Sequence, residues 1–301
     1  MTDLLRGKVA LVTGGSQGLG LEIARRYVAC GASVVLCARE PVMLAAAQAA
    51  LAHQLQSRQP QGRQAQVGQR VEAVAADVSQ PADVARVVAL ALERLGAIDV
   101  LVNNAGVYGP MGAIEDVDWQ QWVQAIEVNL YGSVLMARAV LPSMKARARG
   151  KIIQLSGGGA TNPLPGISAY AVSKAAIVRF AETLAQEVRE FNIDVNAVAP
   201  GALNTRMLDD VLGAGPEKVG ADFYQKTLKQ KESGGAGLER GAALAVFLAS
   251  DASNGISGKL ISAIWDNWEC WPQHKQELAE GDMYTLRRLA GRDRGASWGD
   301  K

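Results

Sequence analysis

Tyr170 and Lys174 are the two side chains of this sequence whose types and spacing best suit acid–base chemistry. Residues four apart lie on one face of an α-helix, with about 5–6 Å between their Cβ atoms. A free tyrosine has a pKa near ~10, which is too high for ready proton exchange at neutral pH. A neighbouring ammonium group favours the phenolate and lowers that pKa, so the pair predicts a tyrosine general acid/base. Since such pairs also occur on ordinary solvated helix faces, the prediction depends on the rest of the chain.

A glycine-rich turn far upstream of this pair has the form of a dinucleotide-binding motif. An apolar run over residues 8–13 predicts a buried strand before the turn, and a helical pattern follows it. Glycines allow the backbone to approach a pyrophosphate, and the helix N-terminus offers unpaired N–H groups. A glycine turn without a ligand is the alternative, because the spacing is Gly-x-x-x-Gly-x-Gly rather than the commoner Gly-x-Gly-x-x-Gly. The cofactor contacts predicted in this turn are Gly14, Ser16, Gln17, Gly18, Leu19 and Gly20.

With these motifs the chain resembles the short-chain dehydrogenase/reductase family over residues 5–264. The resemblance also rests on Asn-Asn-Ala-Gly at residues 103–106, on Asn129 and on the Pro-Gly pair at residues 200–201, all in the family's order. It implies hydride transfer between a nicotinamide cofactor and a carbonyl carbon, while Tyr170 passes a proton to or from the oxygen. It further implies that Lys174 lowers the pKa of Tyr170 and holds the nicotinamide ribose. Asn129 would bend its helix and position a water in the proton relay.

Further cofactor contacts follow from the same resemblance. Asp77 and Val78 match the pair that contacts the adenine, although Asp77 also suits a helix entry ahead of Pro81. Leu203 and Thr205 would contact the nicotinamide carboxamide and the pyrophosphate. The other residues implied at the cofactor are Asn104, Ala105, Gly106, Pro200 and Gly201.

The residue that follows the second predicted strand bears on the choice between NAD(H) and NADP(H). In many dinucleotide sites an acidic side chain there binds the ribose 2′-hydroxyl. Here the position holds Ala38, with Arg39 next, so no carboxylate repels a 2′-phosphate. Arg39 can pair with such a phosphate through two hydrogen bonds. The sequence therefore favours NADP(H) over NAD(H), the alternative being that Arg39 only begins a solvated helix face.

One expected catalytic residue is missing. The family places a serine thirteen positions before the tyrosine, and that position is Gly157 in this chain. Ser156 precedes it, and a one-residue shift on a strand turns a side chain to the opposite face. A bulge at the following glycines would re-aim Ser156, and we expect that arrangement. Ser168, a water, or a reaction other than ordinary ketone reduction are the alternatives.

Alternation of apolar runs with helical periodicity predicts a Rossmann-type, doubly wound α/β domain over residues 1–264, with a seven-stranded parallel sheet. The predicted strands cover residues 9–12, 33–37, 71–75, 98–102, 151–155, 193–198 and 259–264. The predicted helices begin near Gly18, Glu40, Pro81, Trp119, Ser168 and Leu238. A polar surface loop is expected over residues 57–69.

Two segments exceed what this fold requires. Residues 204–237 form a long excursion with one predicted helical stretch at 220–231, which suits a lid over substrate or, alternatively, a plain surface loop. Residues 265–301 form a Trp- and Arg-rich C-terminal extension. Trp265, Trp268 and Trp271 either cap the sheet edge, which we favour, or pack a substrate at the mouth of the site.

Composition gives few further constraints. The 301 residues carry a formal net charge of +1, so neither nucleic acid nor a membrane surface is an expected partner. No apolar run reaches the ~18 residues of a membrane span, and residues 1–6 lack a signal-peptide pattern, so a cytoplasmic location is predicted. Three cysteines and two histidines without ligand spacing predict no metal site.

The sequence thus predicts an NADP(H)-dependent oxidoreductase that interconverts a carbonyl and a secondary alcohol on a small soluble metabolite. By resemblance, helices within residues 119–149 and 168–191 would pack between subunits of a homodimer or homotetramer. An epimerase or dehydratase with tightly held cofactor is one alternative. A non-catalytic NAD(P)-sensing protein is the other.

Overall fold

The computed structural model describes residues 3–57 and 68–298, so most of the surface loop predicted at 57–69 lies outside the described residues. Seven parallel strands form one sheet in the order β3-β2-β1-β4-β5-β6-β7. The strands are β1 (Val9–Thr13), β2 (Ser33–Ala38), β3 (Val71–Ala75), β4 (Val100–Asn103), β5 (Gly150–Leu155), β6 (Ile193–Ala199) and β7 (Leu260–Ser262). The predicted doubly wound fold is therefore confirmed.

Helices cover both faces of the sheet. They are α1 (Gly18–Ala29), α2 (Pro41–Ser57), α3 (Pro81–Leu95), α4 (Trp119–Ile126), α5 (Gly132–Ala146), α6 (Ser168–Glu187), α7 (Arg206–Ala214), α8 (Pro216–Val219), α9 (Ala221–Ser233), α10 (Leu238–Ala249) and α11 (Lys275–Glu280). In the described part of the chain, no helix combines the length and the apolar character that crossing a membrane requires.

The sheet is apolar on both sides, as parallel sheets with helices on each face are. Alternate strand residues therefore enter two separate cores. Val12 and Ile153 belong to the core beneath α1 and α10, whereas Leu11 and Ile152 belong to the core beneath α3, α5 and α6. Strand order reverses between β1 and β4, and ligands of such sheets bind at the carboxyl ends of the strands there.

The excursion over residues 204–237 holds more helix than the sequence predicted. The expected stretch at 220–231 is α9, but α7 and α8 precede it. Leu208 and Val211, spaced three apart in α7, are both buried, so the short helix is stabilised by packing rather than by a long periodic pattern.

The C-terminal extension packs against the last strand. Trp268 and Trp271 are buried, whereas Trp265 is 87% exposed. The Tyr284 carbonyl oxygen accepts a hydrogen bond of 2.8 Å from the backbone N–H of Leu260, on the side of β7 that no other strand pairs with. This extension therefore caps the sheet edge, as expected for Trp268 and Trp271, whereas the exposed Trp265 does not pack there.

Candidate active site

A cleft of about 520 Å³ opens at the carboxyl ends of β1, β4 and their neighbours. It brings together nearly every predicted cofactor residue, from widely separated parts of the sequence between residues 14 and 205. The predicted residues that line it are Gly14, Ser16, Gln17, Gly18, Leu19, Ala38, Arg39, Asp77, Val78, Asn104, Ala105, Gly106, Ser156, Tyr170, Lys174, Pro200, Gly201, Leu203 and Thr205. Gly20 and Asn129 do not line the cleft but lie behind the residues that do.

A larger groove of about 1330 Å³ lies at the opposite, amino ends of the strands and contains none of the predicted site residues. Several charges that line it are paired within the chain, as in the ion pair of 2.6 Å between Lys151 and Asp194. We therefore place the functional site in the smaller cleft.

The glycine turn leaves the first N–H groups of α1 open toward the cleft. No side chain caps this helix at Gln17, and its first turn has no acidic residue. Gly14 and Gly18 have φ angles of +62° and +55°, which side chains with a Cβ rarely adopt. At Gly20, by contrast, a Cβ would collide with the Gly14 carbonyl oxygen and lie 2.5 Å from Asn104 Nδ2. Gly20 thus permits close packing, while the rest of the turn fits a pyrophosphate.

Thr13 fixes the loop after β4, a role that the sequence analysis missed. Its hydroxyl accepts hydrogen bonds from the backbone N–H groups of Asn104 (2.9 Å) and Ala105 (3.0 Å). The Asn104 side chain donates in return to the Thr13 carbonyl oxygen at 2.9 Å. These bonds join β1 to β4 across the point where strand order reverses. Thr13 directly precedes Gly14 of the glycine turn, and this position in the sequence could have indicated its role.

Asn129 lies in a π-helical segment, Glu127–Tyr131, between α4 and α5. Its side chain accepts a hydrogen bond from the Val107 N–H and donates one to the Val107 carbonyl, both at 2.8 Å. It also donates to the Ser173 hydroxyl at 2.9 Å. The predicted irregularity of the helix is thus present, and Asn129 holds the loop after β4 against α6.

Tyr170 and Lys174 share one face of α6, as their spacing predicted. Lys174 Nζ lies 5.5 Å from the centre of the Tyr170 ring and donates a hydrogen bond of 2.7 Å to the Leu155 carbonyl oxygen. Burial lowers the pKa of Lys174 to about 8. Burial, and next the neighbouring Tyr108, raises the pKa of Tyr170. This is opposite to the expected lowering, because the ammonium group binds the backbone of β5 and leaves burial to dominate.

The serine hydroxyl groups near Tyr170 already have partners. Ser156 donates to the Lys174 carbonyl oxygen at 3.3 Å and is buried. Ser168 accepts a hydrogen bond of 3.1 Å from the Trp122 indole. At Gly157 a Cβ would lie 2.5 Å from Tyr170 Oη, so the tyrosine hydroxyl fills the space of the expected serine.

Arg39 is exposed where β2 ends, and it has no ion pair with a carboxylate in the described ranges. Asp77 serves at a helix entry, since its carboxylate accepts hydrogen bonds from the Ser79 N–H (2.9 Å) and hydroxyl (2.7 Å). Asp77 also lines the cleft, so a place at the helix entry is compatible with the expected contact to the adenine.

Fold and cleft together define a Rossmann-type dinucleotide-binding protein with a Tyr-Lys pair beside the cofactor position. The family model described as short chain dehydrogenase matches residues 8–213. Human "Dehydrogenase/reductase SDR family member 4" is 35% identical over 259 residues, which cover 86% of this chain and 87% of the relative. "Oxidoreductase UcpA" of Escherichia coli (strain K12) is 38% identical over 261 residues, 84% of this chain and 92% of the relative.

Solved structures show the same architecture. Levodione reductase superposes with a TM-score of 0.74 at 27% identity, covering 86% of this chain and 96% of that one. NAD⁺-bound xylitol dehydrogenase gives 0.75 at 25% identity, covering 86% and 98%. The chain belongs to the short-chain dehydrogenase/reductase family. It is accordingly an NAD(P)-dependent oxidoreductase that acts on alcohols or carbonyls.

Proposed function

We propose that this protein reduces a carbonyl to a secondary alcohol with NADPH, or catalyses the reverse reaction, with Tyr170 as the acid/base. The observation that carries this proposal is that Tyr170 lines the same cleft as the glycine turn, with Lys174 one helical turn away. The bound nicotinamide would supply or accept the hydride. The chain's own residues hold the cofactor and move the proton.

In the reduction, Tyr170 gives its hydroxyl proton to the substrate oxygen as the carbonyl carbon gains the hydride. A raised pKa keeps the buried Tyr170 protonated before substrate arrives, as an acid must be. Lys174, with a pKa of about 8, exchanges protons near neutral pH and can return one to the tyrosine. Asn129 keeps the cleft wall in place through Val107 rather than by touching substrate.

Preference for NADP(H) is supported by the cleft wall at the end of β2. Ala38 offers no carboxylate to a ribose, and the Arg39 guanidinium has no competing carboxylate partner among the described residues. A structural relative was solved with bound NAD⁺, so the fold by itself does not exclude NAD(H). Discrimination would therefore depend on these two side chains.

Helices α7, α8 and α9 are proposed as a lid. Residues 203–207 at its base line the cleft, and glycines with positive φ angles separate its helices: Gly215 (+83°), Gly220 (+82°) and Gly234 (+84°). An ion pair of 2.8 Å between Lys231 and Asp209 joins α9 to α7, and the glycines at the helix ends are the proposed hinges.

The substrate would be a small carbonyl or alcohol compound, and we propose assembly into a homodimer or homotetramer. Apolar side chains on the helices expected at the subunit interface are exposed, as an interface requires: Trp119 is 66%, Tyr131 53% and Val172 51% exposed.

The proposed function can be tested by following the absorbance of the reduced cofactor at 340 nm during turnover. The purified protein would be assayed with NADPH and with NADH against cyclic ketones, cyclic diones and ketoses, and in reverse against polyols. Reduction of a carbonyl with NADPH preferred supports it. Tight NADPH binding without turnover of any compound would instead favour a cofactor-sensing protein.

A further inference from the structure

Position 157 cannot provide a hydroxyl group in this structure. A Cβ at Gly157 would lie 2.5 Å from Tyr170 Oη and 3.4 Å from the adjacent ring carbon. The backbone there is extended, with φ of 179°, so the obstacle is occupied space rather than conformation. A reaction that develops charge on the substrate oxygen gains from a second hydrogen-bond donor, which must come from elsewhere.

Three serines near Tyr170 are each engaged in the protein's own hydrogen bonds. Ser156 and Ser168 bond to Lys174 and Trp122 as described above. Ser173 donates to the Tyr170 carbonyl oxygen at 2.8 Å and accepts from the Asn129 side chain. Ser168 and Ser173 do not line the cleft, and Ser156, which does, would have to give up its bond to the Lys174 carbonyl oxygen to reach a substrate.

Tyr108 is another hydroxyl-bearing side chain in contact with Tyr170. The two rings meet edge to face, with centroids 4.7 Å apart and planes at 62°. Tyr108 lines the cleft and also an adjoining cavity of about 280 Å³. Its hydroxyl forms no hydrogen bond with any residue in the described ranges.

The backbone on both sides of Tyr108 is fixed. Asn129 binds both the N–H and the carbonyl of Val107 at 2.8 Å. Gly109 follows with φ of +75°, and a Cβ there would lie 2.6 Å from Ala125 Cβ. The ring of Tyr108 is thereby held against Tyr170 before any ligand binds, as a preorganised donor requires. Burial, and next the charge of Asp210, raises the pKa of Tyr108, so it keeps its proton at neutral pH.

From this arrangement we infer that Tyr108 is a second catalytic phenol, whose hydroxyl donates a hydrogen bond to the reacting oxygen of the carbonyl substrate in place of a residue-157 serine. The inference rests on the proposed function. Tyr170 still gives up the proton, and Tyr108 retains its own throughout.

Tyr108→Phe tests this inference, because phenylalanine keeps the ring contact and removes only the hydroxyl. Wild type, Y108F, Y170F and the control Y284F, remote from the cleft, would be compared with NADPH and the carbonyl compound that wild type reduces fastest among cyclic ketones, diones and ketoses. NADPH affinity would be measured by fluorescence titration of each variant. We expect kcat of Y108F to fall about 10²-fold, with KM and NADPH affinity within about twofold of wild type. Y284F should behave as wild type, since Tyr284 packs on Trp271 and does not line the cleft.

Two results overturn the role of Tyr108 while the proposed function stands: Y108F with unchanged kcat beside an inactive Y170F, or a rise in KM alone. A rise in KM alone would mean a contact that is equally strong in ground and transition states. An active Y170F, or wild type that reduces no compound, would instead refute the proposed function and this inference with it.

Discussion

The Lys174 ammonium group binds the Leu155 carbonyl oxygen at 2.7 Å rather than the Tyr170 hydroxyl. Lysine and tyrosine thus lie on one helix face without direct pairing, and burial sets the pKa of each. Burial disfavours the charged form of both groups, so it lowers the lysine pKa and raises that of the tyrosine. The proposed acid, Tyr170, is thereby kept protonated, and a lysine with a pKa of about 8 exchanges protons near neutrality.

The low pKa of Lys174 predicts a pH dependence of stability for the cofactor-free protein. The pKa is about 8 when folded and ~10.4 in the unfolded chain, so the unfolded chain binds more protons between these values. Stability contributed by Lys174 is therefore lowest below pH 8 and rises toward pH ~10.

Lys174→Met isolates this contribution, because methionine does not titrate. Urea unfolding of both proteins should show the stability of wild type relative to the variant rising by about 1–2 kcal/mol between pH 8 and pH ~9.5. A constant difference across that interval would show that Lys174 does not have a lowered pKa.

Cofactor choice should follow Ala38 and Arg39. Arg39→Ala should weaken NADPH binding about tenfold or more and leave NADH binding nearly unchanged, because only NADPH has the 2′-phosphate. Ala38→Asp should weaken NADPH binding further and strengthen NADH binding through the ribose hydroxyls. Fluorescence titration measures both affinities, and Arg25→Ala, whose guanidinium pairs with Glu22 on α1, is a matched control. Equal losses for the two cofactors would contradict the assignment.

Replacing Gln154 by an apolar residue of similar shape should increase the stability of the protein. Gln154 is fully buried in β5, and neither its amide nitrogen nor its amide oxygen has a hydrogen-bond partner among the residues that the structure describes. Gln154→Met keeps the shape and removes both groups, so unfolding free energy should rise by about 1 kcal/mol or more. Asn196→Leu is the contrasting control, since both ends of that buried amide are bonded, and it should destabilise. Loss of stability in Gln154→Met would reveal an internal water at the amide.

The tryptophans of the extension either cap the sheet edge or pack against substrate, and the two interpretations predict different effects of substitution on stability and on KM. Trp271→Ala should lower the free energy of unfolding by about 3–5 kcal/mol, because Trp271 is buried against Tyr284 with ring centroids 4.5 Å apart. Trp265→Ala should change it by less than about 0.5 kcal/mol. Urea titration measures both. A large effect of Trp265→Ala on substrate KM would revive a substrate contact in the extension.

Local patterns explain why so much of the fold was predictable. The seven strands and the six expected helix starts are found, because each depends on the period of its own apolar residues. The cleft followed as well, since motifs at the ends of parallel strands meet at one edge of the sheet. The short helices α7 and α8 were missed because packing, not a long pattern, stabilises them.

Long-range contacts explain what could not be predicted. The edge-to-face contact of Tyr108 with Tyr170 joins residues far apart in sequence. The partner of Lys174 is a backbone oxygen on a neighbouring strand, which no side-chain motif records. Whether the pKa of Tyr170 rises or falls depends on two effects, burial of the phenol and its distance from the Lys174 ammonium group. Spacing along a helix gives information only on the distance.

The central claim is that Tyr170 supplies and removes the proton in an NADP(H)-dependent reaction. The most direct test is kcat of Tyr170→Phe with NADPH and a substrate that wild type reduces, with NADPH affinity measured in parallel. We expect kcat to fall about 10²–10⁴-fold while NADPH affinity stays within about twofold. Turnover within a few-fold of wild type would contradict the claim, because a phenylalanine has no proton to give.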